Sequence, residues 1–496
     1  MTSPTVTQRP VRATATLVAV ALATFMTYLD NNIVNVAIPD IQRDLGLSTA
    51  GIEWVVSGYI LTFAGLLLVG GRLADAYGRR RLFMIGLSLF TVASLAAGLS
   101  SGAGALVASR ALQGIGAALV TPTTLAIISA TFTDRRARNT AVGIWSGVGA
   151  LALAVGPLLG GLLTQHVSWE WIFFINIPVG VGTLALAAWA VAESREDEPR
   201  PIDRPGLVLS AAMLFALTYA LIEGHDRGWT SPLIVGLFVV AAVAAIAFVL
   251  VERGRRAPMV DVSLFGRREF SGGIVALSVW AFGLFGIYFF TSLYLQSVLG
   301  FSPTKAGAAF VPMALLMAAG AVASERIAAA IGSYRSTAAG MALMSAGIAS
   351  VALLGRDAGF LALMPSFAVI GIGGGLTIPL TATVLGAMPV SQAGVASAVF
   401  NASREVAGLL GITVIGAILT ARQSASLLAG HDAADAFLTG YRTGLLVAAG
   451  LVALGAITAW VSLRAPSTAV GPDGPDVTNE LEDQRAEARL AEPIGL

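Results

Sequence analysis

Hydrophobic residues in this chain form long, nearly uninterrupted runs that alternate with short polar turns. A helix needs roughly 20 apolar residues to cross a bilayer, and runs of this order recur along the whole sequence. The pattern predicts about fourteen membrane spans, at residues 15–38, 52–71, 82–100, 103–127, 139–163, 171–193, 205–223, 231–252, 270–296, 306–331, 335–355, 360–385, 395–420 and 440–463. We therefore expect an all-α membrane protein.

The composition agrees with this class. Hydrophobic residues make up 56% of the chain and charged residues 12%, whereas about 25% of a soluble domain is charged. The absence of cysteine excludes disulfides and thiolate chemistry. A net charge of +1 without a basic run predicts no nucleic-acid partner.

The distribution of basic residues predicts the orientation in the membrane. With fourteen spans, 22 arginines lie on the side of the termini, whereas 6 basic residues lie on the other side. The positive-inside rule then places both termini in the cytoplasm, and the Ala- and Arg-rich usage indicates a bacterial cytoplasmic membrane. We divide the chain into a cytoplasmic N-tail, a six-helix bundle, two extra helices with linkers, a second six-helix bundle and a disordered cytoplasmic tail, at 1–14, 15–193, 194–269, 270–463 and 464–496.

A weak internal repeat supports two six-helix halves. The loop after span 2 reads DAYGRRR, at Asp75–Arg81, and the loop after span 10 reads AAIGSYR, at Ala329–Arg335. These loops are eight spans apart, which fits six-plus-six helices with two inserted between them. Parallel six-helix repeats are the plan of many secondary transporters.

Asp30 and Arg110 are charged residues inside apolar runs, where a charge is costly and usually functional. The predicted topology places both roughly 12–14 Å below the outer face, at 1.5 Å per helical residue. Equal depth predicts a direct or water-linked pair. The alternative is that Arg110 bonds only backbone carbonyls or extends outward to the interface.

Two further segments suggest moving parts. In the turn after span 2, Asp75 is a candidate to cap the next helix and to pair with Arg79 or with a neighbouring helix, beside Gly78. Span 5 carries spaced small residues and a proline, including Gly156 and Pro157, which predict a hinge and a seal facing the opposite half. The alternative for the turn is that its arginines only keep this loop in the cytoplasm. The alternative for span 5 is that its small residues only permit close helix packing.

Other polar residues inside the spans are candidates to line a cavity: Asn31, Asn32, Asn35, Tyr59, Gln113, Asn401, Arg404 and Glu405. Interhelical hydrogen bonds are the alternative. Because neighbours on a helix point about 100° apart, we expect Arg404 and Glu405 to have different partners. Glu53, at the outer start of span 2, is either an interfacial anchor or part of a gate.

The sequence contains no residue pattern that indicates catalysis or metal binding. The three histidines fall in predicted loops without metal-ligand spacing, and no nucleophile is placed with a base and an orienting residue. We expect neither an enzyme nor a bound cofactor.

The motifs together resemble the major facilitator superfamily, specifically its 14-helix drug:proton antiporters of EmrB/QacA type, over residues 15–463. The matching segments are LDNNIVNVAIP at Leu29–Pro39, GRLADAYGRRR at Gly71–Arg81, RALQGIGAA at Arg110–Ala118, the span-5 motif at Gly143–Gly161 and NASREVAGLLG at Asn401–Gly411. Ala152 stands where glycine is usual, Asn32 where threonine is typical, and Glu405 and Ala407 where the family has Gln and Gly. The resemblance implies a major facilitator fold and alternating access, driven by the proton gradient.

In this family the arginine at the position of Arg110 is tied to proton transfer. The resemblance therefore implies a multidrug exporter, in which we expect Asp30 to take up the proton and Asp75 with Arg79 to hold one conformation. Expected partners are protons, small amphipathic substrates and the lipid bilayer, and the protein is expected to be monomeric. The alternatives are an exporter dedicated to one natural product, siderophore or lipid precursor, a proton symporter, or a non-transporting scaffold.

Overall fold

The computed structural model describes residues 10–195, 203–255, 258, 260–386 and 393–464, and nearly all of them are helical. The first part of the chain forms α1 Pro10–Leu45, α2 Thr49–Tyr77, α3 Arg79–Gly98, α4 Ala103–Thr131, α5 Arg135–His166, α6 Trp171–Phe174 and α7 Asn176–Ala190. The middle contributes α8 Arg204–Arg227, α9 Pro232–Gly254 and a 3₁₀ turn at Val262–Gly266. The last part forms α10 Arg268–Leu293, a π turn at Tyr294–Val298, α11 Pro303–Ile331, α12 Ser333–Ala352, α13 Phe360–Leu376, α14 Pro379–Gly386, α15 Ala393–Leu428 and α16 Ala433–Ser462.

Thirteen helical segments in the described ranges are long and apolar enough to cross a membrane. The remaining predicted span is α12, a 20-residue helix that starts with the polar residues Ser333, Tyr334 and Arg335. Span 6 consists of α6 and α7, and span 12 consists of α13 and α14. The predicted all-helical architecture with fourteen spans is thus supported.

Several predicted boundaries were wrong because helices continue beyond the apolar runs. Helix α1 passes through Pro39 to Leu45, and α16 begins at Ala433 rather than at residue 440. Span 12 is not continuous, since a turn separates α13 from Pro379, which cannot donate a backbone hydrogen bond. The predicted disordered tail at 464–496 lies outside the described residues, apart from Arg464.

The helices pack as two groups, with a further pair of helices packed against both. In the first group α1 packs on α5 and α7, and α4 packs on α2 and α3. In the second, α10 packs on α15 and α16, and α12 packs on α13 and α16. Helices α8 and α9 pack on each other, and α8 also contacts α2 and α15, so the inserted pair borders both groups.

The repeated loops adopt the same backbone conformation. Gly78 has φ 106° and Gly332 has φ 92°, values that side chains other than glycine rarely adopt. Each glycine separates two consecutive helices, α2 from α3 and α11 from α12. The pairing of these loops, predicted from four similar residues, is therefore matched by backbone geometry.

Candidate functional site

Asp30 and Arg110 form a buried ion pair between α1 and α4. Both side chains are fully buried, and Arg110 Nη1 donates to Asp30 Oδ2. Arg110 Nε also donates to the carbonyl oxygen of Val55, at 3.1 Å. The predicted pair is confirmed, and the alternative in which Arg110 bonds only carbonyls is wrong. Breaking such a pair leaves an uncompensated buried charge, at a cost of about 3–5 kcal/mol.

Amide groups complete the surroundings of Asp30. Its Oδ1 accepts hydrogen bonds from Gln113 Nε2 at 3.0 Å and from Asn176 Nδ2 at 2.8 Å. Gln113 also accepts from Arg110 Nη1 at 2.9 Å and donates to Ser94 Oγ at 2.8 Å. The carboxylate thus connects α1 to α4 and α7, and through Gln113 the network reaches α3.

The remaining faces of Arg110 are covered by aromatic rings. Its guanidinium carbon lies 4.5 Å from the ring centre of Tyr59 and 5.8 Å from that of Phe173. A cation over an aromatic face is attracted by the ring quadrupole, more strongly when water is excluded. Arg110 Nη2 is buried without a hydrogen-bond partner among the described residues, so one strong donor of this cluster is unused.

Asn176 is part of the site but is not among the residues predicted from the sequence. It is the first residue of α7, directly after the short helix α6 that carries Phe173. A polar residue within the apolar segment WIFFINIPVG was the available signal. Its contact with Asp30, 146 residues earlier, depends on the packing of α7 against α1.

A second charged pair lies on α15, in the other helix group. Arg404 donates to Glu405 Oε1 through Nε at 3.1 Å and through Nη2 at 2.7 Å. The prediction that these adjacent residues have different partners is wrong, because the long arginine side chain folds back onto its neighbour. Glu405 is buried, and its Oε2 has no partner among the described residues. Both Asp30 and Glu405 are electrostatic neighbours of the Tyr59 hydroxyl, so both charged clusters act on this one residue.

The asparagine candidates make local contacts. Asn32 and Asn401 donate to carbonyls one turn earlier in their own helices, those of Tyr28 and Ser397, at 2.8 and 2.9 Å. Asn31 is half-buried, whereas Asn35 is buried with an unbonded Oδ1 in the described region. Asn32 and Asn401 therefore do not make the interhelical hydrogen bonds considered as an alternative.

Asp75 does not cap α3. It pairs with Arg79, whose Nη2 lies 3.0 Å from Asp75 Oδ1. The start of α3 is instead capped by Glu193, whose carboxylate accepts from the backbone N–H groups of Arg80 and Arg81 at 3.0 and 3.1 Å. The pairing part of the prediction is confirmed and the capping part is wrong, because the residues after α7 reach the helix start.

Glycines permit close contacts between α5 and the opposite group. A Cβ on Gly161 would lie 2.3 Å from the carbonyl oxygen of Pro303, and a Cβ on Gly307 would lie 2.1 Å from that of Pro157. Gly156 packs in the same helix against Asn32 of α1. The prediction that span 5 faces the opposite half is confirmed, while its action as a hinge stays a prediction.

Contacts between the two helix groups concentrate at one end of the molecule. We call this end the outer face, after the orientation predicted from the basic residues; it carries the α1–α2 and α5–α6 loops. There Gln296 donates to the carbonyl of Val36 at 2.8 Å, and Thr304 Oγ1 donates to that of Gly161 at 3.2 Å. The seam between the groups is therefore closed at the outer face in this conformation.

Comparison with known proteins identifies relatives along nearly the whole chain. The model of the Major Facilitator Superfamily matches residues 20–412. The puromycin resistance protein pur8 of Streptomyces alboniger is 35% identical over 92% of this chain and 93% of its own length. The tetracenomycin C resistance and export protein of Streptomyces glaucescens is also 35% identical, over 82% of this chain and 76% of that protein.

Solved structures show the same fold at low sequence identity. The crystal structure of the POT family transporter PepTSo has a TM-score of 0.66 and 15% identity, covering 91% of this chain and 99% of that chain. A bacterial homologue of the human lysosomal transporter Spinster, inward-facing and unoccupied, has a TM-score of 0.65 and 16% identity, covering 92% and 98%. With a multi-pass helical fold, a buried intramembrane ion pair and these relatives, the chain belongs to the Major Facilitator Superfamily and is a membrane transporter.

Proposed function

We propose that the protein is a proton-coupled antiporter that exports hydrophobic or amphipathic compounds from the bacterial cytoplasm by alternating access. The relatives named for resistance and export support the direction of transport. Proton coupling is supported by one observation: the carboxylate of Asp30 is fully buried and bonded to Arg110, Gln113 and Asn176. Its charge state determines whether an ionic bond joins α1 to α4.

Protonation of Asp30 changes the balance of this network. A proton on Oδ2 removes the negative charge that Arg110 pairs with and leaves the guanidinium to Gln113 and the carbonyl of Val55. An unpaired buried charge is unfavourable, so the helices move toward an arrangement that hydrates or re-pairs Arg110. In this cycle the proton enters from the outer face, and a substrate arriving from the cytoplasm favours the deprotonated, paired state.

We propose that Tyr59 and the α15 pair contact the substrate. Glu405 has an unbonded carboxylate oxygen, which suits a cationic group, and Asn401 lies one turn earlier on the same helix. Aromatic rings and few polar groups are typical of sites that accept varied apolar ligands. Asp75 with Arg79 would hold the state in which the cytoplasmic ends are together.

The test is transport by purified protein in liposomes with an imposed pH gradient. Asp30→Asn, which keeps the size of the side chain, is expected to abolish gradient-driven substrate flux. Asp40→Asn is the matched control, because Asp40 lies on the same helix and pairs with Arg43 near its end. Full proton-driven export by Asp30→Asn would contradict the proposal.

A dedicated exporter of one natural product is the second candidate. Its support is that one relative, covered over 93% of its own length, is named for resistance to a single antibiotic, puromycin. Competition among unrelated dyes and antibiotics for the same flux separates the two. Inhibition by several chemical classes supports multidrug export, whereas inhibition by one class only supports the dedicated exporter. Uptake with the proton, or no gradient-driven flux, contradicts both.

A further inference from the structure

A cavity of about 310 Å³ lies at the outer face, apart from the Asp30 cluster. Its walls come from the α1–α2 region, from the inserted helix α8 and from α15. The lining residues are Gln42, Ser48, Thr49, Ala50, Glu53, Ile222, His225, Asp226, Gly416, Ala417 and Thr420. The cavity therefore includes both helix groups and the inserted pair.

Glu53 is the buried acid of this cavity. Glu53 is only 2% exposed, and its carboxylate makes no hydrogen bond or ion pair with any described residue. The carboxylate lies against α15, since a Cβ on Gly416 would be 2.1 Å from Glu53 Oε1. A carboxylate in such a position is expensive unless a positive charge or hydrogen-bond donors reach it.

The rest of the lining offers acceptors and little positive charge. Asp226 is exposed on α8, so it presents a second carboxylate toward the solvent side. The ring of His225 bonds Ser424 through Nε2 at 3.0 Å. Neither lysine nor arginine is among the residues that line this cavity, and the nearby Arg227 is paired with Glu223.

We propose that this cavity is an external binding site for a small organic cation, a protonated amine or a guanidinium group, with Glu53 as its buried ionic partner. Asp226 attracts the cation from solvent, and the hydroxyls of Ser48, Thr49 and Thr420 supply further acceptors. The volume exceeds that of one ammonium or guanidinium head, so waters or a short apolar tail fill the remainder. The site is separate from the proposed proton and substrate path.

Occupancy of this site has a mechanical consequence. The cavity is formed by α2 of one helix group and α15 of the other, with α8 packed on both. A ligand that binds only when these helices are together stabilises the closed outer face by mass action. External cations are therefore expected to slow the opening step.

The experiment measures thermal unfolding of the purified full-length protein at constant pH and ionic strength. Methylguanidinium chloride and propylammonium chloride are the probes, and sodium chloride replaces them at equal ionic strength. The wild type should show a saturable rise in Tm with either organic cation. Glu53→Gln should weaken the apparent affinity about tenfold or more, as expected for the loss of a charged hydrogen-bonding partner.

The controls separate this site from other acids and from the proposed function. Glu223→Gln should keep wild-type cation affinity, because Glu223 lies on the same turn of α8 but bonds Trp54 and Arg227 instead of lining the cavity. Asp30→Asn should also keep it, whether or not transport is proton-coupled. No saturable rise in the wild type, or equal affinity in Glu53→Gln, would overturn the proposal.

Two further outcomes are decisive. If Glu53→Gln raises Tm without added cation and the wild type does not respond to either probe, Glu53 takes up only a proton and the organic-cation site is refuted. If Glu53→Gln does not fold, Asp226→Asn provides the test, since its side chain is exposed. A weaker affinity in Asp226→Asn at low ionic strength supports the site, and an unchanged affinity overturns it.

Discussion

The two charged clusters near the middle of the molecule are built in opposite ways. Asp30 binds residues on α4 and α7, so its network crosses between helices. Arg404 and Glu405 are neighbours on one helix and form an ion pair with each other there. Loss of charge in the first cluster removes an ion pair between two helices, whereas loss of charge in the second removes an ion pair within one helix. This difference predicts conformational coupling in the first and ligand selectivity in the second.

The largest effect should follow from breaking the crossing network. Arg110→Gln leaves Asp30 buried without its cationic partner and is expected to cost about 3–5 kcal/mol of stability and to abolish transport. Arg404→Gln should cost less, because the Arg404 side chain is 27% exposed. Thermal unfolding with flux measurements on both variants checks this. Equal losses of stability would contradict the contrast between the clusters.

The next effect concerns the closed outer face. Gly307→Ala places a Cβ 2.1 Å from a backbone oxygen of α5, so the outer seam should no longer close fully. A cysteine at Val36, in this cysteine-free chain, reports the change by its reaction with an impermeant maleimide. A bias of 1.4 kcal/mol toward the open state corresponds to about tenfold faster labelling.

Gly450→Ala is the matched control for that measurement, because a Cβ there meets nothing within 4 Å. It should label at the rate of the parent cysteine variant. Unchanged labelling in Gly307→Ala would mean that the seam adapts to the added methyl group and that the glycine contact does not limit closure.

A selectivity change is expected from the α15 pair. Glu405→Gln should weaken binding of cationic substrates about tenfold, since it removes one charge-assisted contact, and should leave neutral substrates nearly unaffected. Direct binding measurements with a cationic and a neutral ligand separate these outcomes. Loss of proton-driven flux for both ligand types would instead assign coupling to the second cluster as well.

The smallest effect is the difference in stability loss between substitutions in the two repeated loops. Alanine at Gly78 or at Gly332 should cost about 1–3 kcal/mol through backbone strain. Gly78→Ala should cost about 1 kcal/mol more, because its Cβ would lie 2.7 Å from the Glu193 carboxylate that caps α3. At Gly332 the contact is with the edge of the Tyr334 ring, at 3.2 Å. Unfolding midpoints of the two variants test the difference, and a larger loss at Gly332 would contradict it.

Part of the site could be predicted from the sequence, namely the contact that depends on the depth of two residues in the membrane. Asp30 and Arg110 were matched by counting residues from the span ends, and they meet. Asp75 and Arg79 are four residues apart, on either side of the turn at Gly78, and they pair. The prediction of different partners for Arg404 and Glu405 was wrong. Helix geometry fixes the direction of each Cβ but does not limit where the end of a long, flexible side chain lies.

The sequence by itself determined the class of the protein, the number of spans and the residues that are costly in a membrane. In the lipid core, backbone N–H and C=O groups find hydrogen-bond partners only within the helix. Each span is therefore a helix, and the sequence encodes it as a long run of apolar residues. Only the tertiary structure decided that Asn176 completes the Asp30 network, that Glu193 caps α3 and that Glu53 lies against Gly416 without a partner among the described residues. These contacts depend on which helices are neighbours in the bundle. The packing of side chains determines those neighbours, and the hydrophobicity of a run does not.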